Sequence, residues 1–455
     1  MLLIFPAIYI IIFLIAFRGI LSKKEDALFL FVIAALPIYN TALTIIYGYR
    51  FKTWVPILQS FKELLILVAI CILIWNYRKR FKIHVLDKWV LAFLALTSIY
   101  AFLPLGKYGF VQKLIALKSL SFFTCIYFAG RLMDPEKFHF EKIFTWVGVL
   151  SFAAAGILIY EVVTYTHFQT YTDYAFFNQD YYGLDVSGHY GLSWSFEINE
   201  GLKRFASFFS NPLEMAGSTL VAVSMLLAAY TTQDNKIIID KFGWLVTAAT
   251  AFAVLFALSR SSLVGYVLLI YVYSLLTNRK EITYFFYLLI GIAVVYMIYL
   301  LNDRHTYDYI ISTFQLADTS SVGHVLEWIE GVQSMMDFPL GRGLGESGRV
   351  SAALQENVGG ENQFIIVGVQ TGIISLIIYL IIFILCIRYF WLGFKSNNFA
   401  LRKIGLSLLL MKIAFIMPML TSNFDSYSYI LYLSWLLTGI FITSYHEYTT
   451  GDSRG

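Results

Sequence analysis

Several apolar segments of this chain carry a basic side chain inside them or at one end. Lys62 lies near the start of one segment, Lys118 lies inside another, and Arg260 occupies a tight turn between two more, in ALSRSSLVG. An ionisable group at membrane depth is costly, so by default it faces the protein interior and marks a path or a site. These cations are therefore candidates for binding an anion such as phosphate. The alternative is structural: Lys62 pairs with a carboxylate, and Arg260 and Lys107 reach towards lipid head groups.

A second group of candidates precedes a helix start. Lys203 and Arg204 lie in KRFASFFSNPLE, in which Asn211 can cap a helix, Pro212 suits its first turn and Glu214 follows three residues after the cap. The exposed amides and the partial positive charge of a helix start favour an anion. The sequence therefore predicts a cationic vestibule that attracts phosphate.

The sequence lacks the motifs that several kinds of chemistry require. The chain has no GxxxxGK[ST] phosphate loop, no HExxH and no Asp-x-Asp pair. We therefore expect no metal and no other cofactor, and neither an ATP-driven pump nor a metal-dependent cytoplasmic transferase. Cys71, Cys125 and Cys386 lie far apart in apolar segments, without the spacing of a disulfide framework or a zinc site. The net charge of +4 indicates no nucleic acid partner.

The elements that must position these residues are membrane helices. Of the 455 residues, 59% are hydrophobic and only 14% are charged, a balance outside the range of soluble domains. A spanning helix needs roughly 20 mainly apolar residues. The sequence predicts an all-α polytopic membrane protein with about twelve to fourteen transmembrane helices, forming a single membrane domain over residues 1–455. The candidate spans are 2–17, 27–48, 60–75, 89–105, 112–130, 143–165, 211–230, 242–258, 261–276, 282–301, 363–387, 404–420 and 427–444.

The distribution of Lys and Arg predicts the orientation, because short cytoplasmic loops carry an excess of both. One set of alternate connections holds twenty, whereas the opposite short connections hold five. With thirteen spans, the C-terminus is cytoplasmic, the N-terminus is outside, and two long loops, 166–210 and 302–362, face outward. The first span has neither a basic stretch before it nor a cleavage site after it, so we expect it to stay in the mature protein.

The two outward loops have different compositions. The first is rich in Tyr, Phe and Trp, in YTDYAFFNQDYYGLDVSGHYGLSWSF, which either stacks on sugar rings or forms an aromatic belt at the membrane interface. The second contains an amphipathic helix that we expect to lie against the bundle, followed by GRGLGESG, whose glycines allow sharp turns or close approach to a ligand. The apolar positions of this helix are Val325, Trp328, Ile329, Val332, Met335 and Met336.

Three segments resemble those of the bacterial O-antigen polymerase and O-antigen ligase superfamily, and the resemblance covers most of the chain. They are KRFASFFSNPLEMAG, then ALSRSSLVG, then HVLEWIEGVQSMMDFPLGRGLG followed by ENQFIIVGVQTGIISL. In order, they resemble the family's arginine-containing stretch before an Asn-Pro helix start, its Ser-Arg turn and its large outer loop with a glycine-rich end. The resemblance implies a transferase that moves a glycan from an undecaprenyl diphosphate carrier to an acceptor on the outer side of the plasma membrane.

The resemblance also implies which residues bind the donor. Arg204 and Arg260 would bind its diphosphate, with Lys62, Lys118 and Arg342 as further candidates. The diphosphate is the leaving group, so the reaction needs cations to stabilise the departing charge and a base for the acceptor proton. It needs no metal if enough Arg and Lys side chains converge.

Two positions depart from the family pattern. The ligases have a histidine, a proposed base, just before the span that follows the large loop, whereas this chain has Glu361 and Asn362 there. This departure favours a polymerase over a ligase and makes Glu361 the candidate base. His324 stands where relatives often have Arg, and it either contacts the acceptor or the phosphate or simply packs.

Three functional hypotheses follow. The first is a polymerase for O-antigen, exopolysaccharide or capsule, which transfers the growing glycan onto the next carrier-linked repeat unit in the bacterial plasma membrane. The second is a ligase that attaches finished glycan to the lipid A core of lipopolysaccharide or to another acceptor. The third is a secondary transporter or lipid-linked glycan flippase, which should show discontinuous helices, of which the sequence gives little sign. For a polymerase, the resemblance implies a chain-length regulator and a flippase as partners.

Overall fold

The structure is a computed structural model that describes residues 2–77, 81–198, 201–300, 319–352 and 358–451; within these ranges it omits the side chains of 76–77, 289, 293–300, 319–322, 324, 349 and 352. The described part is helical apart from one hairpin, in which β1 (Glu197–Ile198) pairs antiparallel with β2 (Leu202–Lys203). The helices are α1 (Ile4–Leu21), α2 (Asp26–Ala34), α3 (Tyr39–Gly48), α4 (Val55–Tyr77), α5 (Val85–Phe102), α6 (Phe110–Leu132), α7 (Phe140–Thr164), α8 (Tyr174–Tyr182), α9 (Pro212–Tyr230), α10 (Lys241–Phe256), α11 (Arg260–Leu276), α12 (Lys280–Leu300), α13 (Thr319–Asp337), α14 (Arg349–Ala352), α15 (Gln363–Phe394), α16 (Phe399–Thr421) and α17 (Ser428–Thr450).

Many of these helices are long and apolar enough to cross a membrane. Among the described residues nine meet that condition, and the pair α2 and α3 would make ten. The chain is therefore an all-α, multi-pass membrane protein. This count is lower than the expected twelve to fourteen, although each predicted span coincides with helix. The second predicted span is bent by 59° between α2 and α3. The helices α10 and α11 have 16 and 17 residues, fewer than the roughly 20 of a full span.

The centre of the bundle is formed by three helices. In the apolar stretch of each helix, between 72% and 83% of the residues of α9, α16 and α17 are buried, against 28% of those of α1 and α15. The most extensive contact between described helices joins α17 to α6, where Gly439 lies against the backbone around Gly130. Small residues at such a crossing let two helix backbones approach each other, as is typical of membrane helices.

The contacts define two ends of the bundle. At one end, which we name the Arg131 end, the start of α5 and the ends of α6 and α17 meet through Asp87, Arg131 and Thr443. The opposite end, named the Arg204 end, holds the starts of α4, α9, α11 and α17. The candidate cations of the sequence analysis lie towards the Arg204 end.

The glycine-rich segment 341–348 docks into a break in α15. Gly372 interrupts the helix with φ 80° and ψ 172°, and a Cβ there would lie 2.6 Å from the carbonyl carbon of Leu340. Gln370 holds the segment, because its Oε1 accepts from Gly345 N at 2.9 Å and its Nε2 donates to Ser347 O at 3.0 Å. The predicted sharp turns of the glycine-rich segment are confirmed. They let the segment approach the helix α15 closely.

The amphipathic helix of the second long loop is α13, and it packs on α15. Its contact face is made of small and flexible residues, with Gly331 against Ile365 and Met335 against Gly368. The helix lies against the bundle as predicted, although three of its apolar residues, Ile329, Val332 and Met336, are exposed. Close packing of two helix backbones requires small residues at the contact. The larger apolar side chains of α13 therefore face away from α15.

Candidate functional site

Hydrogen bonds to distant elements anchor the segment that carries Arg204. Its backbone N donates to Phe196 O at 2.9 Å, and Phe205 N donates to Phe256 O at 3.2 Å. Further along, Ser207 has φ 52° and donates its N–H to the buried Glu161 carboxylate at 2.8 Å. These bonds tie the segment to the hairpin, to the end of α10 and to α7. The loop that carries Arg204 is therefore held in place by hydrogen bonds to three other elements.

Arg204 and Arg260 lie close enough for their charges to interact. Arg204 donates through Nε to Ala257 O at 3.0 Å, three residues before Arg260. Burial lowers the pKa of Arg204 to about 10, the nearby Tyr427 raises it, and the charge of Arg260 lowers it again. At neutral pH the guanidinium still carries its charge. Arg260 is an exposed residue in the first turn of α11, where the helix dipole adds positive potential.

Tyr427 lies within electrostatic range of Arg204 and of two carboxylates. It is buried at the start of α17 and interacts electrostatically with Glu214, Arg204 and Glu361. Tyr427 was not among the predicted site residues. Its only signal in the sequence was its place at the start of an apolar span, which many interfacial tyrosines share.

Glu361 lies at the start of α15. Its backbone N donates to Glu327 Oε2 at 3.2 Å, and the next residue, Asn362, caps the helix by accepting from Phe364 N at 3.0 Å. Glu361 is partly buried, and its charge reaches Tyr427. Glu361 and Arg204 therefore lie within electrostatic range of the same tyrosine, although they are far apart in the chain.

The start of α9 forms as its sequence predicts. Asn211 accepts from Glu214 N at 2.9 Å, and the buried Glu214 carboxylate accepts from Ser210 N at 3.1 Å. This carboxylate already occupies the positive end of the helix. The helix start that the sequence predicts to favour an anion is therefore already occupied by Glu214.

Lys62 belongs to the same neighbourhood. It is buried, donates through Nζ to Ser428 Oγ at 3.2 Å and lies 4.0 Å from the ring centroid of Tyr39. Its charge interacts with Glu214. Glu214, on α9, is thus one carboxylate within electrostatic range of Lys62. At the start of α17, Lys62 contacts Ser428, and Arg204 and Glu361 lie within electrostatic range of Tyr427. Arg260 acts on Arg204.

Other predicted residues are placed elsewhere. Lys118 is exposed and pairs with the largely buried Glu63 at 3.0 Å. Arg342 lies in the glycine-rich segment, with its guanidinium 5.6 Å from the ring centroid of Phe338. The side chain of His324 lies outside the described residues. Within the described ranges, no contact joins Lys118 or Arg342 to the arginine pair.

Lys412 is a buried cation of α16 that the proposed site does not include. Its Nζ lies 4.2 Å from the ring centroid of Trp435, and its charge interacts with Asp425. Asp425 in turn accepts from Tyr379 Oη at 2.7 Å. These groups lie inside the bundle, where each charge is compensated by a neighbour.

The aromatic residues of the first long loop fall into two groups. Phe177 and Tyr181 pack edge-on against Tyr47 of α3. Tyr171, Phe176 and Trp194 remain exposed. These side chains are accessible for sugar stacking or for an interfacial belt.

The fold and the site together define a multi-pass, all-α membrane protein with a cluster of cations and carboxylates at one end of its helical bundle. The chain matches no protein-family model, and it matches no curated protein.

Proposed function

We propose that the chain is a polysaccharide polymerase of the bacterial plasma membrane. It transfers a glycan from undecaprenyl diphosphate to another lipid-linked repeat unit on the outer side. The observation that carries this proposal is the approach of Arg204 and Arg260, from two separate connections, at one end of an apolar bundle. Two guanidinium groups at one place match the oxygens of a diphosphate, for which arginine is well suited.

In the proposed reaction, an acceptor hydroxyl oxygen attacks the anomeric carbon of the donor glycan. The bond from that carbon to the phosphate oxygen breaks, and undecaprenyl diphosphate leaves with the electron pair. Arg204 and Arg260 stabilise the negative charge that develops on the leaving group. One preorganised donor at such a charge accounts for roughly 10²–10³ in rate, so the loss of either arginine is expected to be severe.

Glu361 takes the proton of the acceptor hydroxyl. Its carboxylate interacts with Tyr427, which also interacts with Arg204. This arrangement supports a base close to the leaving group. A carboxylate in this role contributes roughly 10²–10⁴ in rate.

Arginine replacement tests the proposal. Arg204→Ala or Arg260→Ala, each restored to a strain lacking the chain, should abolish long-chain polysaccharide while protein levels stay normal. Lys52→Ala is the matched control, because Lys52 is exposed at the same end and pairs with Asp180 at 2.8 Å, outside the cluster. Normal chain-length ladders in both arginine variants would rule out the diphosphate site.

The deletion strain also separates the polymerase from a ligase, since both reactions use the same site. Loss of a polymerase leaves single repeat units on the acceptor, whereas loss of a ligase leaves none. The proposal therefore expects single units.

A transporter or flippase is the second candidate, and two helix breaks favour it. The helices α2 and α3 meet at 59°, and Gly372 interrupts α15; discontinuous helices are typical of secondary transporters. Purified protein in liposomes distinguishes this class. Movement of lipid-linked glycan across the bilayer without any change in glycan length would replace the polymerase assignment.

A further inference from the structure

An exposed tryptophan with polar neighbours stands on the first long loop, at the Arg204 end of the bundle. The Trp194 side chain is 52% exposed, and its ring centroid lies 5.4 Å from that of His189, with the two planes nearly perpendicular. We name this pair, together with Asp185 and Glu197, the Trp194 platform. We infer that the platform binds a neutral sugar ring of the donor glycan, an assignment that rests on the proposed function.

The imidazole of His189 is held in one orientation by a buried carboxylate. Glu197 accepts from His189 N at 2.9 Å, and its other oxygen lies 3.0 Å from His189 Nδ1. The Glu197 side chain is 4% exposed, whereas that of His189 is 67% exposed. An ionised carboxylate only accepts, so Nδ1 carries the proton of the neutral ring. Among the described residues nothing bonds to Nε2, which is therefore open to a sugar hydroxyl.

The surroundings of Trp194 favour a glycan over the bilayer. Its indole N–H bonds to Asp185, whose pKa is lowered first by bonds from Ser187 and further by this bond. An interfacial tryptophan directs its N–H to water or head groups, but here that group is already used, and a carboxylate beside the ring is costly in lipid. The open part of the indole is left to an apolar surface with polar edges. The C–H face of a pyranose, rimmed by hydroxyls, is such a surface.

The hairpin connects the platform with the proposed diphosphate site. Glu197 pairs with Lys203 across β1 and β2, and Arg204 N donates to Phe196 O at 2.9 Å. Neighbouring strands lie about 4.8 Å apart, so the platform begins one strand away from Arg204. A glycan whose diphosphate is bound by Arg204 would extend along the hairpin. The platform thus fits a sugar ring of the donor, which it holds while Arg204 holds the leaving group.

The test uses a ligand without any phosphate. Repeat-unit oligosaccharide is released from its carrier by mild acid and added to full-length protein in nanodiscs, and binding is followed by saturation-transfer difference NMR. Wild type should give signals, and Trp194→Ala should weaken binding by roughly tenfold, because the stacking face is lost. Trp194→Phe keeps an aromatic face and should retain part of the affinity. His189→Ala removes one hydrogen bond and should weaken binding by roughly tenfold or less.

Trp244→Ala is the matched control. Trp244 is 61% exposed in the first turn of α10, at the Arg131 end, so its replacement should leave binding unchanged. Both tryptophans are more than half exposed, and thermal unfolding should therefore be the same in the two alanine variants and in wild type. An equal loss of binding in Trp244→Ala and Trp194→Ala would overturn the platform.

Arg204→Ala separates this inference from the proposed function. It should keep the oligosaccharide signals while losing polymer. Equal binding by wild type, Trp194→Ala and His189→Ala, or no signals from wild type at millimolar oligosaccharide, overturns the platform whatever the ladders show. Normal ladders in Arg204→Ala together with binding that depends on Trp194 overturn the polymerase site and keep the platform.

Discussion

Arg204 donates a hydrogen bond to the carbonyl of Ala257, and this bond places Arg204 close to the turn that carries Arg260. The charge of Arg260 is one of the causes that lower the pKa of Arg204. Two like charges at close range are unfavourable unless an anion lies near both. In the proposed function an anion, the donor diphosphate, lies near both arginines, and this leads to the first prediction.

Replacing either arginine should weaken the binding of undecaprenyl diphosphate. A hydrogen bond to a charged group contributes about 1.5–3 kcal/mol, so Arg204→Ala or Arg260→Ala should lower affinity by at least about tenfold. Native mass spectrometry of the purified protein measures this binding. Lys52→Ala should bind like wild type, and equal affinity in all four proteins would contradict the site.

Replacing the proposed base should separate catalysis from binding. In Glu361→Gln the carboxamide cannot take a proton, so polymer formation should fall by roughly 10²-fold or more, while affinity for undecaprenyl diphosphate stays unchanged. Glu361→Asp should retain part of the activity. Polymer synthesis at the wild-type rate in Glu361→Gln would exclude Glu361 as the base.

Gly372→Ala should destabilise the docking of the glycine-rich segment. Gly372 has φ 80°, and a Cβ there would lie 2.6 Å from the carbonyl carbon of Leu340, so we expect a loss of at least about 1–3 kcal/mol. Thermal unfolding in detergent measures the change. Gly156→Ala on α7 is the matched control, since nothing lies within 4 Å of its added Cβ, and it should stabilise slightly. Equal melting temperatures for the two variants would count against the docked geometry.

Breaking the ion pair at the Arg131 end should be costly. Arg131 donates to both carboxylate oxygens of Asp87 at 2.8 Å, and both side chains are buried. Removing one partner leaves a buried charge uncompensated, at about 3–5 kcal/mol. Asp87→Asn and Arg131→Ala should each lower stability, and the double variant should lose less than the sum. Additive losses would show that the two residues act independently.

Acidification should destabilise the start of α5. His84 caps this helix by accepting from Leu86 N at 3.2 Å through Nδ1, which requires the neutral ring. Burial lowers the pKa of His84 to about 4 from its ordinary value of 6.5. Because the pKa is lower in the folded protein, this stability is complete above pH 6.5 and is lost progressively as the pH falls towards 4.

The control for this prediction is His84→Asn, which keeps a capping side chain without a titratable ring. Melting temperatures at pH 7.5 and pH 5 are compared for both proteins. The wild type should lose more stability on acidification than the variant. The same loss in both would assign the effect to other groups.

The amino-acid sequence by itself determined the membrane class, the positions of the helices and the cap of α9. These features depend on local composition and spacing: apolar runs form helices in lipid, and Asn211, Pro212 and Glu214 satisfy a helix start from within one turn. The composition also marked Arg204 and Arg260 as unusual, because cations are rare in such surroundings. It could not separate them from Lys118, which the structure pairs with Glu63.

Only the tertiary structure decided which of these residues meet. Tyr427 interacts with both Arg204 and Glu361. Lys62 donates to Ser428 and interacts with Glu214, and the glycine-rich segment docks into the break at Gly372. Each of these contacts joins residues from helices far apart in the chain, and depends on how whole helices cross. Crossings are set by close packing of particular small and large side chains, which no local pattern records.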